Sequence, residues 1–243
     1  GKLATIVDPE MPEESTRPRL AEIREAELKS ACDLLGVSEV IFLRYGDSGM
    51  AGADTNGLTD AFWTQPLDSV VARLVQEIRR FRPHVIATYD ANGGYGHPDH
   101  IQTHRATVLA AEAADSPLFK HAGPRWRVSK VYYSAFPVSW MTRIVAAAKR
   151  MGMDPPFGEE NPENMEMLTP DELVTAKIDT SSVIGRFRDA LRAHRSQISA
   201  DWPQLTIPED IAKEFAVEHY SLALSRVPAH PPEADLFAGL TGD

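Results

Sequence analysis

The sequence predicts an α/β fold of the Rossmann-like type, with a mostly parallel sheet and helices on both of its faces. Short runs of β-branched and aromatic residues alternate with longer amphipathic segments, as strands and crossover helices do in such folds. A glycine-rich turn follows one of these runs, and open parallel sheets bind ligands at such strand ends. With 243 residues, 43% of them hydrophobic, the chain can bury the core of a single domain spanning 1–243.

The first half of the chain shows the clearest alternation. An apolar stripe running from Leu20 to Leu34 predicts a helix, although Glu27 interrupts the stripe. Residues 47–65 contain several glycines and no clear period, which predicts a surface loop near the strand ends. The other elements predicted here are a strand at 37–45, an amphipathic crossover helix at 66–81, a buried strand at 84–88 and a helix at 98–114.

The second half gives a weaker pattern. Proline and acidic residues are concentrated at 154–170, which predicts a long loop or lid rather than a domain boundary. The elements predicted around this loop are strands at 128–134 and 173–179, helices at 141–151, 181–195 and 208–226, and a proline-rich tail at 228–233.

Composition excludes several classes of protein. A net charge of −10 and a pI near 5.3 argue against a nucleic-acid-binding surface, which is usually basic. No apolar stretch approaches the length of a membrane span. The single cysteine, Cys32, can form no internal disulfide, as is typical of a reducing compartment, so we expect a cytoplasmic protein. The oligomeric state stays open, a homo-oligomer included.

The segment 89–100 carries the chemistry. It places two histidines, His97 and His100, beside aspartates and a tyrosine at a turn-to-helix junction. Imidazole and carboxylate are the usual ligands of a catalytic zinc, and the water on such a zinc attacks carbonyls near neutral pH. Paired histidines at this spacing also occur on ordinary solvated helices. The three glycines of the turn favour the site, because they permit positive φ and close approach of a ligand.

The block Asp90-x-Asn92-Gly93-Gly94-Tyr95-Gly96-His97-Pro98-Asp99-His100 closely resembles a signature of the LmbE-like (PIG-L) zinc deacetylases and amidases. Nearly the whole chain shares the likeness, which is greatest to the mycothiol-pathway members, the inositol-glucosamine deacetylases and the mycothiol S-conjugate amidases. Other segments follow the family's order: Arg24-x-x-Glu27, Asp47-Ser48-Gly49-Met50, Arg82-Pro83-His84-Val85, Ser129-Lys130-Val131-Tyr132-Tyr133, Ala193-His194-Arg195-Ser196-Gln197 and Glu218-His219-Tyr220.

One departure from the family pattern concerns its first motif. Members begin with a strand ending in His-Pro-Asp-Asp-Glu, which supplies two zinc ligands and the general base, and this sequence contains no such motif. Gly1-Lys2-Leu3 resembles the stretch after the family's second strand, so a strand-helix-strand unit is absent. We expect either a longer natural protein or a degenerate relative that cannot hold zinc in the usual way.

The resemblance implies roles for six residues. His100 matches the third zinc ligand, His97 a histidine that stabilises the oxyanion or protonates the leaving amine, and Tyr95 a mobile oxyanion donor. Asp99 matches a residue that orients a histidine. Arg24 and Asp47 match positions that hold the polar substrate. For these two an ordinary role stays equally open: Arg24 as the partner of a nearby glutamate, and Asp47 as a turn residue.

Three functions follow as hypotheses. The first is a Zn²⁺-dependent hydrolase, with Fe²⁺ also accepted by such ligands, that cleaves the amide of a small N-acyl amino sugar. Its substrate is then N-acetylglucosaminyl-inositol or a mycothiol S-conjugate. Some segments resemble the deacetylases and others the conjugate amidases, so the sequence favours neither substrate. The second is a non-catalytic sugar-binding relative with an incomplete metal site. The third is a deacetylase of a glycosylated natural product.

Overall fold

The computed structural model describes residues 5–155, 158 and 161–240. The helices and strands in chain order are α1 (Glu13–Thr16), α2 (Leu20–Leu35), α3 (Leu67–Phe81), β1 (Val85–Thr88), α4 (Pro98–Ala113), β2 (Lys130–Ala135), α5 (Val138–Arg150), β3 (Ala176–Asp179), α6 (Ile184–Ala193), α7 (Pro203–Thr206), α8 (Glu209–Glu214) and β4 (Val217–Ser225). Of the described helices, none is both long and apolar enough to cross a membrane.

The strands form one open sheet in the order β1-β2-β4-β3. β1 and β2 pair in parallel, with Val85 opposite Lys130 and Thr88 opposite Tyr133. β4 lies antiparallel to both β2 and β3. The predicted α/β class is therefore confirmed, but the prediction of mostly parallel pairing is wrong for the described strands, since one of their three pairings is parallel.

The core lies beside β1 and β2. Helix α3 buries one face of its amphipathic pattern, including Val70 and Val75, while α4 contributes small residues such as Ala106 and Ala110. Small side chains on α4 let the two helices pack closely over Val131 of β2. This packing fixes the start of α4 against the end of β1, and the predicted site lies at that junction.

Two predicted elements are wrong. Residues 37–45 form no ladder with another described strand, and Arg44 has a φ of 64°, which interrupts extended backbone. Residues 208–226 are not one helix, because α8 ends at Glu214 and β4 begins at Val217. β4 pairs with β2 on one side and with β3 on the other, and these tertiary contacts override the local helical pattern of the sequence.

The predicted loop at 154–170 lies partly outside the described residues. Its residues 156, 157, 159 and 160 lie outside the described part of the chain. At its end the Thr169 N–H donates to the Phe136 carbonyl over 2.8 Å, which joins the loop to the end of β2. The remaining predicted helices and strands are confirmed to within a few residues at their ends.

Candidate active site

The site begins where β1 ends. The chain leaves Thr88, passes through a glycine turn and enters α4 at Pro98. Asp90 holds this turn, because its Oδ1 accepts from the Gly94 N–H over 2.8 Å, and the Asn92 side-chain amide donates to the Gly94 carbonyl over 3.0 Å. Gly93 and Gly94 have φ values of 64° and 74°. The turn therefore depends on backbone conformations that residues with a Cβ rarely adopt.

Gly93 is also needed for space. A Cβ placed on it would lie 2.7 Å from His100 Cβ and 2.7 Å from the Ile101 nitrogen. The turn thus packs directly on the first turn of α4, and no side chain fits between them. This contact sets the position of His100 relative to the strand end.

We expect Gly93→Ala to lower both stability and activity. The matched control is Gly96→Ala, because Gly96 also has positive φ, at 85°, yet a Cβ there would meet nothing within 4 Å. The control should lose about 1–2 kcal/mol from backbone strain, and Gly93→Ala about 1–3 kcal/mol more from overpacking. Denaturant unfolding measures the difference, and equal losses in the two variants would contradict the close-packing argument.

His100 has the hydrogen bonding of a metal ligand. Its Nδ1 lies 3.1 Å from the Gly93 carbonyl, and because a carbonyl only accepts, Nδ1 carries the proton. Nε2 of the neutral ring is then left with a lone pair, the arrangement found in metal-binding histidines. Tyr89 stacks on the ring at 4.2 Å between centroids. Burial lowers the pKa of His100, which keeps the ring neutral and able to bind a cation.

His97 has the opposite tautomer. It caps α4, with Nδ1 accepting from the Asp99 backbone N–H over 3.1 Å. Since Nδ1 accepts, Nε2 of the neutral ring carries the proton and can donate. The His97 and His100 rings lie 4.9 Å apart between centroids. One histidine therefore offers a lone pair and its neighbour a donor, which matches a site that binds a cation and stabilises a nearby oxyanion.

Asp47 and Asp99 add two carboxylates to this group. Ligand atoms of Asp47, His97 and Asp99 lie within 4.8 Å of one another, a spacing short enough for a cation. In the tautomer described above His97 has no free lone pair, so the two carboxylates would supply the ligand oxygens of this group. Asp99 Oδ2 accepts from the Ser48 N–H over 3.1 Å, which joins the loop of Asp47 to the start of α4. Asp47 Oδ1 accepts from the Gly49 N–H over 3.0 Å, a local turn of the kind the sequence allowed.

Two buried oxygens at this junction bear on whether the site suits a cation. Among the described side chains, the buried polar atoms without a hydrogen-bond partner are Thr88 Oγ1 and Asp99 Oδ1. Both residues belong to this junction, one at the end of β1 and the other at the start of α4. An unpartnered buried carboxylate oxygen is costly and points to a bound water or cation. The donor set of imidazole and carboxylate therefore fits a metal ion.

Tyr95 lies at the mouth of the site. Its side chain is 52% exposed, and its ring centroid is 5.1 Å from that of His100 and 6.2 Å from that of His97. Partial burial and the charge of Asp47 raise the pKa of Tyr95, so its hydroxyl stays protonated at neutral pH. It can therefore act as a donor toward a bound substrate.

The structure thus brings together five of the six predicted residues: Asp47, Tyr95, His97, Asp99 and His100. Arg24 is half-buried in α2, whose main packing partner is α6. One turn later, Glu27 is buried and accepts from the Ser196 N–H and hydroxyl, each over 2.7 Å. This carboxylate explains the break in the apolar stripe.

Sequence reasoning missed two contributors. Tyr89 stacks on His100, and its only signal was its place after the strand. Ser48 is fully buried, and it donates its N–H to Asp99 while its hydroxyl accepts from the Trp63 N–H over 2.9 Å. The only signal for Ser48 was its place in an aspartate-serine-glycine turn.

Comparison with solved structures supports the fold. The crystal structure of GalB, the 4-carboxy-2-hydroxymuconate hydratase from Pseudomonas putida KT2440, matches with a TM-score of 0.54 at 16% identity, over 90% of this chain and 78% of that one. The conserved protein TT1542 from Thermus thermophilus matches with a TM-score of 0.50 at 19% identity, over 86% and 76%. At these identities the likeness concerns the fold alone.

Comparison with known sequences identifies the family. Residues 4–111 match the family model described as PIG-L: GlcNAc-PI de-N-acetylase. A 1D-myo-inositol 2-acetamido-2-deoxy-alpha-D-glucopyranoside deacetylase of Geodermatophilus obscurus is 40% identical over 92% of this chain and 79% of its own. The enzyme of the same name from Thermobifida fusca is 44% identical over 90% and 78%. Because the family model matches and the relatives are similar over nearly the whole chain, the chain belongs to the PIG-L (LmbE-like) family.

Proposed function

We propose that this protein is a metal-dependent N-deacetylase that cleaves the acetamide of an N-acetylglucosaminyl-inositol. The observation that carries the proposal is the difference in hydrogen-bond partners at the start of α4: His100 Nδ1 faces the Gly93 carbonyl, whereas His97 Nδ1 faces the Asp99 N–H. From these partners we infer a lone pair on His100 Nε2 beside an N–H on His97 Nε2. Metal-dependent amide hydrolysis needs a group that binds the metal and a donor for the developing oxyanion. The names of the curated relatives support the substrate class.

The metal in this proposal is zinc, held in part by His100. When bound, zinc would polarise the acetamide carbonyl and make a bound water acidic enough to react near neutral pH. Asp47 and Asp99 provide further carboxylate oxygens within 4.8 Å of His97. Ferrous iron accepts the same ligand types, so the metal's identity is part of the test.

The side chains around the metal position hold and stabilise the substrate. His97 Nε2–H would donate to the oxyanion, because its Nδ1 is already engaged by the Asp99 N–H. Protonating the leaving amine from His97 would need the imidazolium, which cannot accept that N–H, so the geometry favours the oxyanion role. The Tyr95 hydroxyl would add a second donor. Asp47 is proposed to accept from the sugar hydroxyls, and Arg24 to hold the polar substrate by its charge, as the family resemblance implies.

Metal analysis of three variants tests the assignment of the ligand. The protein is expressed from its natural start, and zinc and iron are counted by mass spectrometry beside acetate release. His100→Ala should lose about one metal per chain together with turnover, because it removes one of the roughly three protein ligands that hold a catalytic zinc. The control is His84→Ala, whose ring packs against Trp126 at the far end of β1.

The third variant, Asp47→Asn, separates the two donor sets. Loss of metal with Asp47→Asn but not with His100→Ala would move the cation to the group of Asp47, His97 and Asp99. Substrate choice is measured with the same preparation by comparing N-acetylglucosaminyl-inositol with a mycothiol S-conjugate. Faster cleavage of the conjugate would overturn the deacetylase assignment, and absence of both metal and turnover in the unaltered protein would favour a sugar-binding relative.

A further inference from the structure

A separate cavity lies at the opposite end of the sheet from the candidate active site. Its volume is about 380 Å³, and its lining includes Gln76, Arg79, Arg80, Arg82, His121 and Gly123. Arg82 directly follows α3, and two residues separate it from β1, so the cavity lies at the amino end of β1. The active site lies at the carboxyl end of that strand. No residue of the lining is acidic.

Arg79 supplies a buried positive charge to this cavity. It is 3% exposed, and its guanidinium donates to backbone carbonyls of the loop that follows α4: Ala114, Ser116, Phe119 and Gly123. Among the described residues it has no carboxylate partner. Carbonyl dipoles satisfy its hydrogen bonds but do not cancel its charge. Four of the five guanidinium N–H groups are used in this way, which leaves one for another acceptor.

The other two arginines differ in how their charge is balanced. Arg80 forms ion pairs with Glu77 at 2.7 Å and Glu39 at 3.0 Å, so this group of three side chains carries one surplus negative charge. Arg82 is exposed and has no ion pair with any described carboxylate. The end of α3 contributes about half a negative elementary charge, and together with the surplus carboxylate this stays below the two positive charges of Arg79 and Arg82. The cavity lining and its ion-pair partners therefore keep a small net positive charge on a protein whose net charge is −10.

We propose that this cavity binds the phosphate group of a small molecule. Guanidinium groups bind phosphate oxygens in pairs, and a dianion balances the charges of Arg79 and Arg82. The volume is within the range of small-molecule sites and exceeds what a free phosphate needs. The ligand is therefore a phosphorylated metabolite rather than inorganic phosphate. Because this site is at the other end of β1, it does not rest on the proposed deacetylase function.

Calorimetric titration at constant ionic strength tests this proposal with three probes: glucose 6-phosphate, inorganic phosphate and glucose. Glucose 6-phosphate should bind, and Arg82→Gln should weaken it about tenfold or more, the size expected for one charge-assisted hydrogen bond. The control is Arg192→Gln, which removes the same charge from an arginine that is 54% exposed in α6 and pairs with Asp189. Circular dichroism confirms that each variant is folded.

The comparison among probes decides the source of the phosphate group. Equal affinity for inorganic phosphate and glucose 6-phosphate would support the site while overturning the assignment to a phosphorylated metabolite. Binding of glucose as tight as that of its phosphate would show that the arginines do not recognise the ligand. Equal weakening of binding by Arg82→Gln and Arg192→Gln would show that only the net charge of the protein matters. This result would overturn the proposal, as would tight binding of glucose or the absence of binding by both phosphate probes.

Discussion

Replacing His97 with asparagine should lower kcat for deacetylation by about 10²- to 10³-fold, the usual cost of removing one oxyanion donor. His97 has two separable functions in this structure. Its Nδ1 accepts from the Asp99 N–H and caps α4, and its Nε2 carries the proton that we assign to the oxyanion. Asparagine is a good N-cap, so its side-chain oxygen can replace Nδ1. It has no group that reaches the position of Nε2.

His97→Ala is the companion variant that separates capping from catalysis. Alanine removes both functions, so it should lose the same activity and also about 1 kcal/mol of stability. Activity is measured as kcat and KM for acetate release, and stability by urea unfolding, on the protein with its natural start. KM should change little in both variants, since the donor acts on the developing charge. Full activity in His97→Asn would show that the ring's only function is to cap the helix.

The sequence indicated five of the side chains that lie together at this site, but not the contributions of Tyr89 and Ser48 or the protonation of the histidines. The spacing of His97 and His100 after a short strand indicated a shared cavity, and the structure places their rings side by side. Which nitrogen carries each proton depends on the Gly93 carbonyl and the Asp99 N–H. Those contacts arise from the positive φ of the turn and from the cap, which residue types alone do not determine.

The sheet shows the same division between local and long-range information. β1 and α4 were predictable because a β-branched run and a proline at the first helical turn are local signals. β4 was not, because Val217–Ser225 is a strand only through its partners β2 and β3. The contact between Ser48 and Asp99 joins residues 51 positions apart, so no local pattern indicated it.

The buried ion pair of Lys130 and Glu233 is a further long-range contact, and breaking it should have the largest effect on stability. Lys130 is fully buried and Glu233 is 5% exposed. Lys130 Nζ lies 2.7 Å from Glu233 Oε1, and the Tyr132 hydroxyl donates to the other carboxylate oxygen. The Glu233 backbone also pairs with β3, through Thr175 and Lys177. Glu233 therefore holds the C-terminal tail against the edge of the sheet.

Glu233→Ala should cost about 3–5 kcal/mol in free energy of unfolding, because it leaves the Lys130 ammonium buried without a partner. The matched control is Glu209→Ala, which breaks an exposed pair with Lys213 one helical turn away and should change the free energy of unfolding little, because solvent screens this pair. Both values come from urea unfolding at neutral pH. A triple variant, Lys130→Met with Tyr132→Phe and Glu233→Leu, should recover most of the loss, since apolar residues can replace a buried pair.

A further variant, Glu233→Gln, distinguishes charge from packing through the pH dependence of its stability. Burial by itself raises the pKa of Glu233, but the hydrogen bonds from Lys130 and Tyr132 outweigh it, so the folded-state pKa lies below the ordinary value of 4.5. A lowered carboxyl pKa means that the stabilisation is complete above the unfolded value and is lost as pH falls through the folded value. The difference between the unaltered protein and Glu233→Gln should therefore be constant from pH 6 to 8 and shrink below about pH 4. A difference that persists unchanged in acid would show that Glu233 stabilises the tail by its shape and not by its charge.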